Sequence, residues 1–228
     1  MSARDLIFGS IRRSLGVTGR EAPRRKTVDD RLAQHPAGLI PARGQLPAKE
    51  RLALFRAMVE AANGSVEAIA DAADVPSAIA AFLRGHNLPL AVRRGADPRL
   101  AALPWQREPN LEVAIGPSDG KDLAAVSHAF GAIAESGTLM LVSGPDNPTT
   151  LNFLPDTHMV VVDAGDVAGD YETLWRRLRD RFGAGAMPRT VNLVTGPSRS
   201  ADIEQTLILG AHGPRRLHVM VVGEAGDA

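Results

Sequence analysis

An α/β fold, an open and mostly parallel sheet with helices on both faces preceded by an N-terminal helical arm, is predicted by three features of the sequence. From residue 48 onward, short apolar runs rich in β-branched residues alternate with segments of helical periodicity, the pattern of strands joined by crossover helices. Residues 190–222 hold the clearest such unit: an apolar run over 191–195, the loop Gly196-Pro197-Ser198-Arg199-Ser200, an amphipathic segment, the tetrad His212-Gly213-Pro214-Arg215 and a second apolar run. In order these read as strand, loop, helix, turn and strand. Finally, 228 residues of which 44% are hydrophobic suit one α/β domain with an arm, and a compact chain of this size buries roughly 70% of its unfolded surface.

The elements follow in order. Leu6, Ile7, Ile11 and Leu15 recur at helical spacing, and Ser2 with Asp5 gives an N-cap signal with an acidic first turn. A short amphipathic helix is expected. Residues 16–47 read as a tether, since Pro23, Pro36, Pro41 and Pro47 interrupt them and Arg24-Arg25-Lys26 form a local positive cluster. The expected division is thus an arm over 1–47 and an α/β domain over 48–228. The basic cluster has a plain reading, a solvated tether, and a sharper one, docking onto an acidic partner surface. The apolar stripe of the first helix has nowhere to bury itself within such an arm, so contact with a neighbouring subunit or partner is expected of it.

Residues 48–62 are a helix with Leu52, Phe55, Met58 and Val59 on one face, ended by Asn63-Gly64. Then come a strand over 65–70, a helix over 75–85 with Ile79, Phe82 and Leu83 inward, and strands over 89–93 and 111–115. Two apolar runs, 124–134 and 139–142, flank Glu135-Ser136-Gly137-Thr138. A β-hairpin is the first choice there and a strand-to-helix elbow the second, with Gly137 supplying the positive φ of a tight turn. Asn147-Pro148-Thr149-Thr150 reads as a turn and helix cap, and Leu154-Pro155-Asp156-Thr157-His158 runs into a strand over 159–162. A helix over 171–182 buries Leu174, Trp175 and Leu178 and turns Arg176, Arg177 and Arg179 to solvent.

Composition excludes several function classes. With 26 basic and 26 acidic residues and 4% aromatics, the sequence has neither a global pull toward nucleic acid nor the rings for a stacking platform. There is no cysteine, hence no disulfide, thiolate nucleophile, cysteine zinc site or cysteine-held iron–sulfur cluster on these residues. Any redox chemistry must belong to a ligand or partner. Charges at Arg4 and Asp5 do not suit a signal peptide, and no run approaches the roughly 20 apolar residues of a membrane span, so a cytoplasmic protein is expected. Gly183-Ala184-Gly185 follows a helix rather than joining strand to helix, the wrong context for a dinucleotide fingerprint.

Three stretches carry a resemblance. Ala132-Ile133-Ala134-Glu135-Ser136-Gly137-Thr138, then Leu154-Pro155-Asp156-Thr157-His158, then Gly196-Pro197-Ser198-Arg199-Ser200-Ala201-Asp202-Ile203-Glu204 through Gly210-Ala211-His212-Gly213-Pro214 together resemble the LUD (lactate-utilization domain) family. The resemblance runs over roughly residues 49–222. It implies a NagB/RpiA/CoA-transferase-like sheet, the superfamily of CoA transferases, ribose-5-phosphate isomerase and 5-formyltetrahydrofolate cyclo-ligase, with ligands at the carboxyl ends of the strands. It also implies a role in oxidizing L-lactate to pyruvate beside iron–sulfur subunits, with the clusters on those partners and no cofactor on this chain. Fold likeness alone transfers no reaction.

Candidate site residues come from these motifs. The loop Gly196 to Ser200, placed at a strand end before a helix, offers free N–H groups to an anion, with Ser198 beside it and Arg199 as a charged fork. Asp202 and Glu204 in the first turn of that helix complement its dipole, or bind a ligand hydroxyl. Glu135 before Ser136-Gly137 is similar to the Glu-Asn-Gly nucleophile region of CoA transferases, as a nucleophile or base, with Thr138 as a hydroxyl donor; the plainer reading is a turn carboxylate bonded to nearby N–H groups. His158 and His212 are proton carriers or structural turn histidines, Asp156 standing near the first. No histidine spacing suggests a metal site. The expectation is that Glu135, His158, Ser198 and His212 converge on one basin; self-association of the chain is left open.

Overall fold

In the computed structural model, which describes residues 2–183, 185–200 and 208–224, the chain divides into two units, Met1–Leu39 and Ile40–Ala228. The first holds α1 (Ala3–Leu15) and α2 (Ala22–Gln34). A capping box starts α1: Ser2 Oγ accepts from the Asp5 N–H at 3.2 Å, and the Asp5 carboxylate accepts from the Ser2 N–H at 3.1 Å. Gly16 ends it in the left-handed region. The helix α2 lies where the prolines suggest only a tether. Pro23 is in its first turn, where a missing N–H breaks no helical bond, so that proline initiates rather than interrupts.

The second unit continues with α3 (Ala48–Ala61), α4 (Val75–Gly85), the short α5 (Pro98–Ala101) and α6 (Tyr171–Phe182). Its strands are β1 (Ser65–Ile69), β2 (Ala91–Arg94), β3 (Glu112–Ile115), β4 (Ala124–His128), β5 (Gly131–Ile133) and β6 (Thr138–Val142). They are followed by β7 (Thr157–Asp163), β8 (Val167–Ala168), β9 (Val191–Thr195), β10 (Arg199–Ser200), β11 (Ile208–Leu209) and β12 (Arg216–Val222). Six of these form a parallel sheet in the order β1-β12-β7-β4-β2-β3. The α/β reading of the sequence is therefore correct. No helix among the described residues is long and apolar enough to cross a membrane.

Period-two alternation along the central strands divides the core. Val160 and Val162 of β7 and Leu217, Val219 and Val221 of β12 face one side, packing with Phe55 and Val59 of α3. Met159, Val161, Met220 and Val222 face the other, against Val75, Ile79 and Leu83 of α4 and Leu100 of α5. Strands buried on both faces must be apolar throughout, which is why these runs read as continuous rather than alternating.

On the α3 side lies a second sheet that the sequence pattern did not reveal, four strands in the order β8-β5-β6-β9. Leu139, Leu141 and Val167 face the first core, while Ile133, Met140 and Ala168 turn outward onto Leu174 and Leu178 of α6. The apolar run over 124–134 is therefore two strands in different sheets, parted after His128. The β5–β6 pair is the expected hairpin, with Ile133 opposite Thr138.

Two expectations for residues 190–222 need correction. The strand β9 pairs antiparallel with β6, so it ends the smaller sheet instead of joining the parallel one; a five-residue run carries no mark of which partner it will take. Arg199-Ser200 pairs antiparallel with Ile208-Leu209, so the loop after β9 enters a β-ribbon rather than leading directly into a helix. Residues 201–207, over which that helix was expected, lie outside the described residues.

Gly137 closes the hairpin at φ +66°, and a Cβ there would stand 2.6 Å from the Val59 backbone nitrogen of α3. Both faults act together, since a left-handed L-residue costs about 1–2 kcal/mol and the helix backbone cannot move aside cheaply. Gly137→Ala is expected to lower stability by about 2 kcal/mol or more, measured as a fall in the urea midpoint with unchanged slope. An unchanged midpoint would show that α3 and the hairpin are not locked together.

Candidate functional site

A crevice of about 260 Å³ opens between the larger sheet and the end of β9, lined by His158, Thr195, Ser198, Arg199 and His212 among others. His158 is the second residue of β7 and stands opposite Leu217, the second of β12. The crevice is thus at the amino ends of these parallel strands, and the expectation that the Gly196 loop belongs to a carboxyl end is corrected. The cause is the antiparallel placement of β9, which delivers its loop to the opposite edge.

Each wall has a local cause. Gly196 has φ +69°, and a Cβ there would lie 2.3 Å from the Ala62 carbonyl oxygen, so glycine lets the chain turn hard against the end of α3. Ser198 then ties the two motif loops together: its N–H donates to Pro214 O at 2.8 Å, its carbonyl accepts from Gly210 N at 2.9 Å and its hydroxyl accepts from His212 N at 3.3 Å. Arg199 and the His212 ring remain exposed at the mouth.

His158 is fully buried at the back. Ser127 Oγ donates to Asn152 Oδ1 at 3.1 Å, so it receives the His158 Nε2 proton across 2.9 Å, and the neutral ring keeps its lone pair at Nδ1. That nitrogen has no hydrogen-bond partner among the described residues. Burial pushes the His158 pKa down to about 3, so it is a neutral acceptor near pH 7 and not a charged anion site.

The other sequence candidates fall elsewhere. Glu135 is 4% exposed, and its Oε1 accepts from the Tyr171 N–H at 3.4 Å at the start of α6; it does not line the crevice. Thr138 is buried, its hydroxyl within 2.6 to 2.9 Å of those of Thr195, Ser136 and Tyr171, so it touches the crevice only through Thr195. Gly137 belongs to the turn packed on α3. Asp156 is exposed, and its backbone carbonyl accepts from Arg215 N at 2.9 Å and Arg216 N at 3.1 Å, registering β12 on β7. Asp202 and Glu204 lie outside the described residues. The structure thus gathers His158, Ser198, Arg199 and His212 and leaves Glu135 in a neighbouring hydroxyl cluster.

A second polar group at the carboxyl ends of the larger sheet, Asp97, Arg99, His128 and Asp163, was passed over in the sequence, and Asn147, read there only as a turn and cap, joins it. His128 and Asp163 are the last residues of β4 and β7, and a polar residue closing an apolar run was the available signal. Reading 124–134 as one run hid it. Among the described residues no three His, Asp or Glu side chains are grouped to hold a metal ion.

The family model of the LUD domain matches residues 52–222. Lactate utilization protein C of Geobacillus thermodenitrificans is 37% identical over 107 residues, 46% of this chain and 45% of that protein. Its namesake in another Geobacillus species is 35% identical over 134 residues, 54% and 55%. The chain spans about half the length of these relatives. The crystal structure of a DUF162 family protein from Deinococcus radiodurans has a similar fold, with a TM-score of 0.55 and 23% identity, covering 78% of this chain and 99% of that one.

His158 sets a pH dependence. Unfolded, its ring takes up a proton near pH 6.5; folded, only near 3. Protons therefore favour the unfolded chain in that window. Stability is full above about pH 6.5 and falls as the pH drops toward 3, at up to about 1.4 kcal/mol per pH unit from this group. Urea unfolding at pH 7, 6, 5 and 4 is expected to show the fall and His158→Gln a shallower one. Equal slopes would mean the ring is hydrated.

Proposed function

The chain belongs to the LUD domain family, and from that premise we propose that it works in lactate utilization, as the cluster-free subunit of a complex that oxidizes L-lactate to pyruvate with iron–sulfur partner proteins. The observation that carries this reading is the likeness to two proteins named lactate utilization protein C. The absence of cysteine from all 228 residues supports the division of labour, since thiolates are the usual ligands of such clusters. Electrons leaving lactate would pass to the partners.

The crevice geometry suits a shared or docking site better than a self-contained one. Its mouth offers an exposed guanidinium at Arg199 and an exposed imidazole at His212, held in place by Ser198, while its back is a neutral buried histidine. Such a rim favours a partner's carboxylate or a small anion. The alternative reading, a CoA-transferase-like or cyclo-ligase-like enzyme with Glu135 as nucleophile or base, calls for a carboxylate open to ligand. Glu135 is enclosed against the start of α6, the environment of a structural cap.

Reconstitution tests the role. Iron–sulfur subunits of a lactate-oxidizing complex, purified separately, are expected to reduce dye with L-lactate only when this chain is added, and to be retained by it on a native column. Full dye reduction without the chain would refute the proposal.

A further inference from the structure

A crevice of about 520 Å³ lies at the carboxyl ends of the larger sheet, where Asp97 follows β2 and His128 ends β4, and is bordered by Asn147, which follows β6 of the smaller sheet. This is where open α/β sheets receive ligands, because the strand ends and the loops after them are free of the packing that fills both faces.

One backbone oxygen organises its floor. The Ala129 carbonyl accepts from Arg99 Nη1 at 3.2 Å and lies 3.0 Å from His128 Nδ1. A carbonyl can only accept, so Nδ1 carries the proton and the neutral His128 ring presents a lone pair at Nε2. Burial, and after it the Arg99 charge, hold this histidine below its ordinary pKa. Asp163 Oδ2 stands 3.7 Å from Nε2, too long for a hydrogen bond and leaving that lone pair unspent among the described residues.

Arg99 is fixed as firmly. The Asp97 carboxylate, 2% exposed, accepts from its Nε at 3.1 Å and Nη2 at 2.8 Å, and from Asn147 Nδ2 at 3.1 Å. Burial alone would raise the pKa of Asp97, but these bonds hold it down to about 2. A guanidinium has five N–H donors; among the described residues the three bonds from Arg99 to Asp97 and Ala129 leave one on each terminal nitrogen. Phe130 and Phe182 supply an apolar wall.

Arg99 and His128 both line the crevice and share the Ala129 carbonyl; two N–H donors and a lone-pair acceptor in one crevice complement a carboxylate that carries a neighbouring hydroxyl, and the apolar wall takes its carbon skeleton. We propose that this crevice binds a small 2-hydroxycarboxylate, with Arg99 gripping the carboxylate and His128 Nε2 accepting a hydrogen bond from the hydroxyl. The class follows from the crevice; the choice of lactate within it rests on the role proposed above.

Histidine-15N spectra of the whole chain test this without disturbing it. Titration with L-lactate is expected to move the His128 Nε2 resonance saturably, its assignment made with His128→Gln, while Nδ1 stays protonated. Propionate, which lacks the hydroxyl, is expected to bind about fivefold more weakly or worse. Arg99→Lys keeps the charge and loses the fork, and is expected to weaken lactate binding about tenfold with unchanged circular dichroism; should that variant unfold, the comparison of lactate with propionate decides alone. A His128 signal indifferent to lactate, or propionate binding as well as lactate, overturns the site even if reconstituted dye reduction succeeds. Binding of the expected pattern by a chain that cannot restore dye reduction keeps the site and removes only the lactate-complex role.

Discussion

Everything in the α/β unit depends on the pairing of β7 with β12, seven residues in parallel register from Thr157↔Arg216 to Asp163↔Val222. Both strands are covered on both faces, so most of their side chains between the ends are apolar. Most polar chemistry is thereby left to the two ends, His218 of β12 being a buried exception. His158 stands at one end of β7 and Asp163 at the other, and the two crevices lie at these opposite edges.

The ends differ in what closes them. At the amino edge the antiparallel β9 delivers the Gly196 loop, and Ser198 joins it to the 210–214 turn through two backbone bonds and one to its hydroxyl. This edge is a rim of exposed cation and imidazole over a neutral buried histidine. At the carboxyl edge the chain parts from the sheet immediately after His128, where Ala129 N bonds to Val161 O at 2.8 Å and the Ala129 carbonyl is turned toward Arg99 and His128. Crossing from one sheet to the other thus creates the oxygen that aligns both side chains.

Several costly buried groups are met by a specific compensation. Asp97 keeps its charge because Arg99 and Asn147 surround it; His158 and His128 avoid charge by deprotonation. Asp166, by contrast, is pushed toward its neutral form by burial and by nearby Asp163. The carboxyl edge therefore holds carboxyl groups pulled in opposite directions within one short stretch of fold, and their environments, not their residue types, set the difference.

The sequence by itself determined several of the local elements. Periodicity placed α4 and α6 at their observed limits and α3 within one residue, Ser2 and Asp5 capped α1, and Gly137 marked the hairpin, because caps, periods and positive φ act over a few neighbouring residues. It also put His158, Ser198, Arg199 and His212 among the candidates that share a crevice. Only the tertiary structure decided that β9 would pair antiparallel with β6, that residues 124–134 would split between two sheets, and that Glu135 would be enclosed while His128 and Arg99 met at one carbonyl. Those outcomes depend on partners far away in the chain, chosen by which apolar faces can be buried together, and no short stretch of sequence carries that choice.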